Sequence, residues 1–364
     1  MASPSQQLLH QKGQSSLSLP AGSYIYSLCQ SGDDALVAIS SDNSLRRFDR
    51  QTLNILPDGI FENIHPGRGG GVTCVCEVHT TTFGGKNLIA TSGRDGTIKL
   101  WDVRNKRTDA AVKITADKSA PITALACSLD PCTIVAGTEF LQFHPTRHNI
   151  LLSGSTDGLV NIYDTTISDE DDAILQVVNH GSIHRAGFLD EQAIFALSHD
   201  EVFSIHPLNN PSENAPDPAA IQFGDLRPVL QNDYVVQVLN GHGGTFVASG
   251  KTSEQRFDLT PLISSAKYDL DLSKRWIMPG AHGEEIIRSV LLDDNSKTIF
   301  TCGEDGHVRA WKLNERDQEE VRHSPSEVPS KHTTQEDMAR TKSHRSKAKV
   351  RKEKRQKERG FKPY

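Results

Sequence analysis

The side chains of this 364-residue chain with the most obvious chemistry mostly fall outside reactive spacings. Gly84, Gly85 and Lys86 have the types of a phosphate cradle, but the first glycine and the Ser/Thr after the lysine are missing. The glycines between Gly67 and Gly71 precede a predicted strand rather than a helix, and read as a linker. Cys74 and Cys76 share one face of that strand, and Cys127 and Cys132 lie five apart. Neither pair has C-x-x-C ligand spacing, so they read as small buried hydrophobes; no metal, cofactor or catalytic set is expected. His180, His184, His199 and His206 are spread over different strands and loops, where surface or capping roles suit them. Thr156 stands where a nucleophile elbow needs serine, and the Asp157-Gly158 turn accounts for it. Asp169, Glu170, Asp171 and Asp172 form an acidic run, read as a solvated loop or as a docking patch for a basic partner.

One spacing does recur. Thr91, Asp95 and Trp101 place a hydroxyl four residues before an aspartate and an indole six after it. Ser153, Asp157 and Tyr163 repeat the spacing, as do Thr301, Asp305 and Trp311. A weaker copy at Asp42 to Asp49 has Ala38 in the hydroxyl position. Asp-Gly supplies the positive φ of a tight turn between strands rich in β-branched and aromatic residues. After it, Ile98 and Leu100 face one way while Thr97, Lys99 and Trp101 face the other. Apolar groups on both faces mean a strand covered on both sides, as in a sheet packed between neighbouring sheets. The aspartate at a fixed distance from hydroxyl and indole can satisfy polar groups inside that packing.

These repeats resemble the WD40 repeat, whose blades close into a β-propeller. Leu100-Trp101-Asp102 and Ala281-His282-Gly283 are similar to the two signature ends of that repeat. The resemblance implies a His282, Thr301, Asp305 and Trp311 network in the last blade. No Gly-His precedes Val72 or Phe140, which leaves the last blade as the one with a full set.

The fold expected is therefore all-β, a nominally seven-bladed WD40 propeller over residues 21–313. Paired inner and second strands are read at Tyr24 to Ser40, Val72 to Thr91, Ile122 to Gly137, Phe140 to Ser153, Ala186 to Ser198, Tyr234 to Ser249 and Ile286 to Thr301. One blade, about 122–139, is truncated: Thr138-Glu139 runs straight into the next inner strand, and roughly 30 residues of the family period are missing. A deletion at the level of gene or transcript is the expected cause. Residues 1–20 carry Leu8, Leu9, Leu17 and Leu19 and are expected to give the last blade the outer strand it lacks.

Composition divides the chain further. Hydrophobic residues make up 36%, and the net charge is −6. Between Arg340 and Lys362, twelve Lys/Arg stand against Glu353 and Glu358, a balance of +10; the other 28 basic and 44 acidic residues leave −16. Residues 314–364 read as a disordered tail, strongly basic from 340. Lys347, Lys349, Arg351, Lys352, Lys354, Arg355, Lys357 and Arg359 are its densest part, suited to polyanions or to nuclear import. No run approaches a membrane helix, no signal peptide is expected in Met1 to Gly22, and six cysteines are too few for a disulfide scaffold.

The function expected is a non-catalytic scaffold with protein partners on the propeller faces and RNA or acidic proteins at the tail. An intracellular place is expected, with nucleus or nucleolus, in a ribosome-assembly or chromatin-linked complex, ahead of cytoplasm. A cytoplasmic adaptor, such as a ubiquitin-ligase substrate receptor, is the second reading, and an enzymatic propeller the third.

Overall fold

The computed structural model describes residues 6–67, 70–78, 88–104, 109–116, 120–128, 133–209, 219–241, 243–264 and 267–313. The loop at Gly84 to Lys86, Cys132 and the basic tail lie outside them. No helix among the described residues is long and apolar enough to cross a membrane.

The chain opens with β1 (Gln7–Ser15). Blade one is β2 (Ile25–Ser31), β3 (Ala35–Ser40), β4 (Ser44–Asp49) and β5 (Ile55–Phe61); blade two is β6 (Val72–Val78), β7 (Leu88–Gly93), β8 (Thr97–Asp102) and β9 (Val112–Thr115). Among the described residues blade three has only β10 (Ala124–Cys127) and β11 (Ile134–Gly137). Blade four is β12 (Phe140–Phe143), β13 (Ile150–Gly154), β14 (Leu159–Asp164) and β15 (Ile174–Asn179), with the one-turn helix α1 (Glu170–Ala173) before its last strand. Blade five is β16 (Ile183–Phe188), β17 (Ala193–Ser198), β18 (Val202–Pro207) and β19 (Ile221–Asp225), followed by α2 (Leu226–Leu230). Blade six is β20 (Tyr234–Gly241), β21 (Gly244–Lys251), β22 (Arg256–Ser264), β23 (Tyr268–Leu270) and β24 (Trp276–Pro279). Blade seven is β25 (Ile287–Asp293), β26 (Thr298–Gly303) and β27 (Val308–Leu313).

Each blade is an antiparallel meander whose middle strands are covered on both faces. Every residue of β3, β7, β17 and β26 is buried. The cores lie between blades rather than inside them. One joins Phe48 and Leu28 to Phe300 and Val308 across blades one and seven; another joins Ile39 and Leu45 to Ile89 and Trp101 across blades one and two. The cluster between blades two and three has the fewest buried residues of these, only Val78, Leu88 and Ala90. None of these clusters joins blade three to blade four among the described residues.

β1 solves the edge of blade seven. Leu9 to Ser15 run antiparallel to Leu313 to Val308, with a bulge between Gln11 and Gly13. Gln7 and Leu8 pair in parallel with Trp276 and Ile277, so β1 also ties blade six into the same nine-stranded sheet. Leu9 is 2% exposed and sits in the core with Trp311 and Met278. Leu17 and Ser18 then turn the chain with positive φ, an unusual backbone for residues with a Cβ. Buried Arg46 holds that turn: its Nη1 donates to the carbonyls of Leu17 at 2.8 Å and Ser18 at 3.1 Å.

The truncated blade leaves its mark on its neighbours. The outer strands β9 and β15 of blades two and four expose Val112, Ile114, Ile174, Leu175 and Val177, while β5 exposes Ile60 and β19 no large hydrophobic side chain. A missing outer half-blade uncovers such surface.

Deleting residues 1–20 is expected to lower the thermal midpoint by at least about 5 °C, because burial of Leu9 and Leu17 alone is worth about 3–6 kcal/mol. Calorimetry on the shortened chain tests this; an unchanged midpoint contradicts closure through β1.

Candidate interaction site at the channel mouth

Two blades build the complete polar network. In blade seven, His282 Nδ1 lies 2.7 Å from Asp305 Oδ1 and Nε2 lies 2.8 Å from Thr301 Oγ1. Trp311 Nε1 donates to the same Thr301 hydroxyl at 2.9 Å. Blade two repeats this. His65 Nδ1 is 3.0 Å from Asp95 Oδ1, Nε2 is 2.8 Å from Thr91 Oγ1, and Trp101 Nε1 donates to Thr91 at 2.8 Å. His65 is the member that sequence reading missed. It sits before Pro66 rather than after a glycine, and the β6–β7 connection makes it 26 residues from Thr91, against 19 for His282 and Thr301.

Blade four departs from the expectation. Asp157 is exposed and its carboxylate accepts from the Leu159 N–H of its own turn at 3.0 Å. Among the described residues no hydrogen bond joins Ser153, Asp157 and Tyr163. Without a histidine in the preceding connection, nothing draws the carboxylate inward.

Blades one and six use other means. Asp42 receives Arg46 Nη2 at 2.7 Å and the Ser40 hydroxyl at 2.6 Å, so a guanidinium stands where the imidazole would. Asp258 is fully buried and receives Asn232 Nδ2 at 3.3 Å and Arg256 Nε at 3.1 Å, with Arg275 3.7 Å away. Burial nonetheless holds its pKa above the usual carboxylate range.

These networks are internal. A second set of polar and aromatic groups lies at the starts of the inner strands. Inner strands β2, β16 and β25 each carry a bulge near their start, and the extra residues are Tyr26, His184 and Arg288. Bulges re-aim side chains out of the ladder. The connections between second and third strands add Arg94, His199 and Glu304. Tyr24 packs edge-on to Tyr26 at 5.2 Å, and His184 stacks on His199 at 5.2 Å. Arg288 Nε donates to Glu304 at 2.9 Å. Tyr26 is raised by burial and by Tyr24, and pulled back by Arg94 and Arg288, so both guanidinium groups bear on its ring. His184 is pushed down to about 4 by burial, then by Arg185, His199 and Arg288, and stays neutral near pH 7.

Just inside, a cavity of about 460 Å³ is lined by inner-strand residues that include Ser27, Gln142, Arg185, Gln237 and Ser289. Arg185 follows the bulge of β16 and lies 5.9 Å from the centre of the Phe140 ring. With Arg288 paired to Glu304, Arg94 and Arg185 leave these groups with a positive balance, on a chain whose balance before Arg340 is acidic. Arginine beside tyrosine is the composition of binding hot spots. The other histidine positions do not converge on a metal: His180 Nδ1 and His206 Nε2 share the Ser204 hydroxyl at 3.2 and 2.8 Å. No group of three or more metal-ligating side chains occurs among the described residues. Asp169 caps α1, accepting from Asp171 N at 3.0 Å, so the acidic run is partly spent on its own turn.

Two predictions follow from the networks. Thr301→Val leaves the indole N–H and Nε2 of His282 unpaired, with Nδ1 still on Asp305, and should cost about 2–4 kcal/mol, whereas Ser153→Ala should cost under about 0.5 kcal/mol. Urea titration of the two variants separates them; equal losses would mean the blade-four residues also form a network. Burial, offset only in part by Asp95 and Asp305, holds His65 and His282 below the ordinary histidine pKa. Below about pH 6.5 the unfolded chain therefore binds protons that the fold refuses, so stability is full above that pH and lost as pH falls. The melting midpoint should drop steadily between about pH 7 and about pH 5; a flat profile contradicts it.

The chain matches the family model "WD domain, G-beta repeat" over residues 61–102 and 276–312, the two segments that hold the complete networks. It is 42% identical over 173 residues to an uncharacterised WD repeat-containing protein of Saccharomyces cerevisiae, covering 47% of this chain and 43% of that protein, less than half of the relative's length. An uncharacterised WD repeat-containing protein of Schizosaccharomyces pombe is 27% identical over 334 residues, 80% of this chain and 95% of the relative. Ser155 to Asp164, Ile167 to Ala173 and Cys302 to Gly306 are stretches in which the chain resembles WD repeat-containing protein 89. The WD repeat-containing protein 89 homolog of Dictyostelium discoideum is 24% identical over 342 residues, 80% of this chain and 87% of the relative. With blades closed by β1 and indoles tied to aspartate through histidine and a hydroxyl, the chain is an all-β propeller that carries WD40 repeats in blades two and seven and is similar to WD repeat-containing proteins over 80% of its length.

Proposed function

We propose that this propeller is a non-catalytic interaction platform of the WD repeat-containing protein 89 type, and that the mouth of its channel grips an acidic stretch of a protein partner. The observation that carries this reading is the convergence of Arg94, Arg185 and Arg288 with Tyr24 and Tyr26 at one end of the channel. Arg94 and Arg288 are exposed, so a partner's carboxylate reaches Arg94 directly and Arg288 by sharing it with Glu304. The tyrosines supply rigid apolar area beside the charge. Its working place is the nucleus or nucleolus, in a ribosome-assembly or chromatin-linked complex. The basic tail, outside the described residues, supplies import or an RNA contact through counterion release.

Two comparisons in cells test this. Arg94→Glu/Arg288→Glu should lose cross-links that the unmodified chain makes to acidic segments, at an unchanged melting midpoint. Cross-links that survive the double reversal would move the site elsewhere on the propeller. A chain stopped after Leu313 should lose nuclear or nucleolar signal and RNA cross-links together. Equal cytoplasmic distribution of both lengths, without RNA cross-links, would instead make it a cytoplasmic adaptor.

A further inference from the structure

Cys29, Cys76 and Cys127 sit on the inner strands of three consecutive blades, β2, β6 and β10. All three line a second cavity of about 390 Å³, together with Glu77, Leu125 and His144. Sγ of Cys76 and Sγ of Cys127 are 2.9 Å apart, although their strands belong to different sheets. That is about 0.9 Å longer than a disulfide bond. Both residues are partly exposed, and the cavity leads to them.

The other cysteines among the described residues are placed differently. Cys74 gives its thiol to the Thr123 carbonyl at 2.8 Å. Cys29 is pushed up to about 12, first by burial and then by Glu77, which makes it a poor nucleophile. Cys302 is buried in blade seven, outside this group.

We propose that Cys76 and Cys127 form a reversible disulfide, made by exchange with a low-molecular-weight disulfide, that fastens the two-stranded blade three to blade two. One protein thiol loses its proton and attacks a sulfur of the small disulfide. The small S–S bond breaks, one small thiolate leaves and takes up a proton, and a mixed disulfide remains. The second protein thiol, deprotonated in turn, attacks the protein sulfur of that mixed disulfide and expels the second small thiolate. The protein has then lost two hydrogen atoms, and the small disulfide has become two thiols. The Cys127 thiol and burial hold Cys76 well above the ordinary thiol value, so Cys76 rests protonated and its exchange is slow.

The location gives the bond a consequence. Blades two and three share a core cluster with only three buried residues, and Cys76 and Cys127 are themselves part of its rim. Blade three has two strands with which to hold its place where the other blades have at least four, counting β1 with blade seven. A bond between residues 76 and 127 constrains the chain at that seam and closes a long loop in the unfolded state.

The test uses the full chain equilibrated in graded mixtures of oxidised and reduced glutathione. Free thiols are then trapped by alkylation, and an unreduced digest is read by fragment mass spectrometry. The expected result is a Cys76–Cys127 cross-linked peptide that appears with oxidation, vanishes with dithiothreitol, and brings a rise in melting midpoint of about 5 °C. Cys127→Ser should abolish both the cross-link and the rise, while Cys29→Ser and Cys74→Ser keep both. The proposal is overturned if Cys76 and Cys127 are recovered alkylated or singly glutathionylated in excess oxidised glutathione. A cross-link that uses Cys29 or Cys74 instead overturns it as well. Should Cys127→Ser fail to fold, the peptide map of the unmodified chain decides alone.

Discussion

A blade of this propeller has two apolar faces and one polypeptide with which to cover them, so every blade depends on the next. That mutual cover is the constraint from which the rest of the architecture follows. It explains why the cores fall between blades, with Phe48 sharing one with Phe300 and Ile39 sharing one with Trp101, rather than within any single blade. It also makes ring closure the decisive contact. A row of blades left open would expose two faces and a run of unpaired backbone groups. β1 removes that edge by crossing to the far end of the propeller, and Arg46 anchors the turn that carries the chain from β1 into blade one.

The same cover creates a polar problem, because strands buried on both faces also bury hydroxyls and indole N–H groups. The histidine networks of blades two and seven answer it with one side chain that bonds on two sides, linking a turn carboxylate to a hydroxyl in the second strand. Blade one solves it with Arg46 and blade six with Arg256, Arg275 and Asn232 around Asp258. Those solutions are chemically unlike one another, yet each brings donors to a turn or strand carboxylate. In blade four the problem scarcely arises. Ser153 is only half-buried and Asp157 remains in solvent.

Where the sequence carries a fixed local spacing, the fold can be read from it. The hydroxyl, Asp-Gly and aromatic pattern locates the second and third strands of blades two, four and seven, and the abrupt Thr138-Glu139 junction locates the truncated blade. Local spacing fails where a partner arrives from a distance that varies. His65 was invisible because its separation from Thr91 depends on the length of an intervening connection. Tyr163 and Asp157 looked like network members because the pattern registers side-chain type and cannot register which way a carboxylate turns. The channel mouth was the least legible feature. Tyr26, His184 and Arg288 are brought together by three bulges on three blades, and neither a bulge nor the meeting of distant blades leaves a motif.

The truncated blade sharpens what the ring requires. Neighbouring inner strands still pack through it, since Ile122, Ala124 and Ala126 are buried. Its outer half is what other blades use to cover flanking surfaces, and there β9 and β15 keep Val112, Ile114, Ile174, Leu175 and Val177 in solvent. The inner strand therefore keeps the ring continuous, and the outer strands keep it covered. A ring can lose cover at one place and still hold its channel, because the groups at the mouth hang from inner strands and their bulges. That division lets the cationic mouth keep its geometry while one seam of the same propeller is thin enough for a single pair of cysteines to matter.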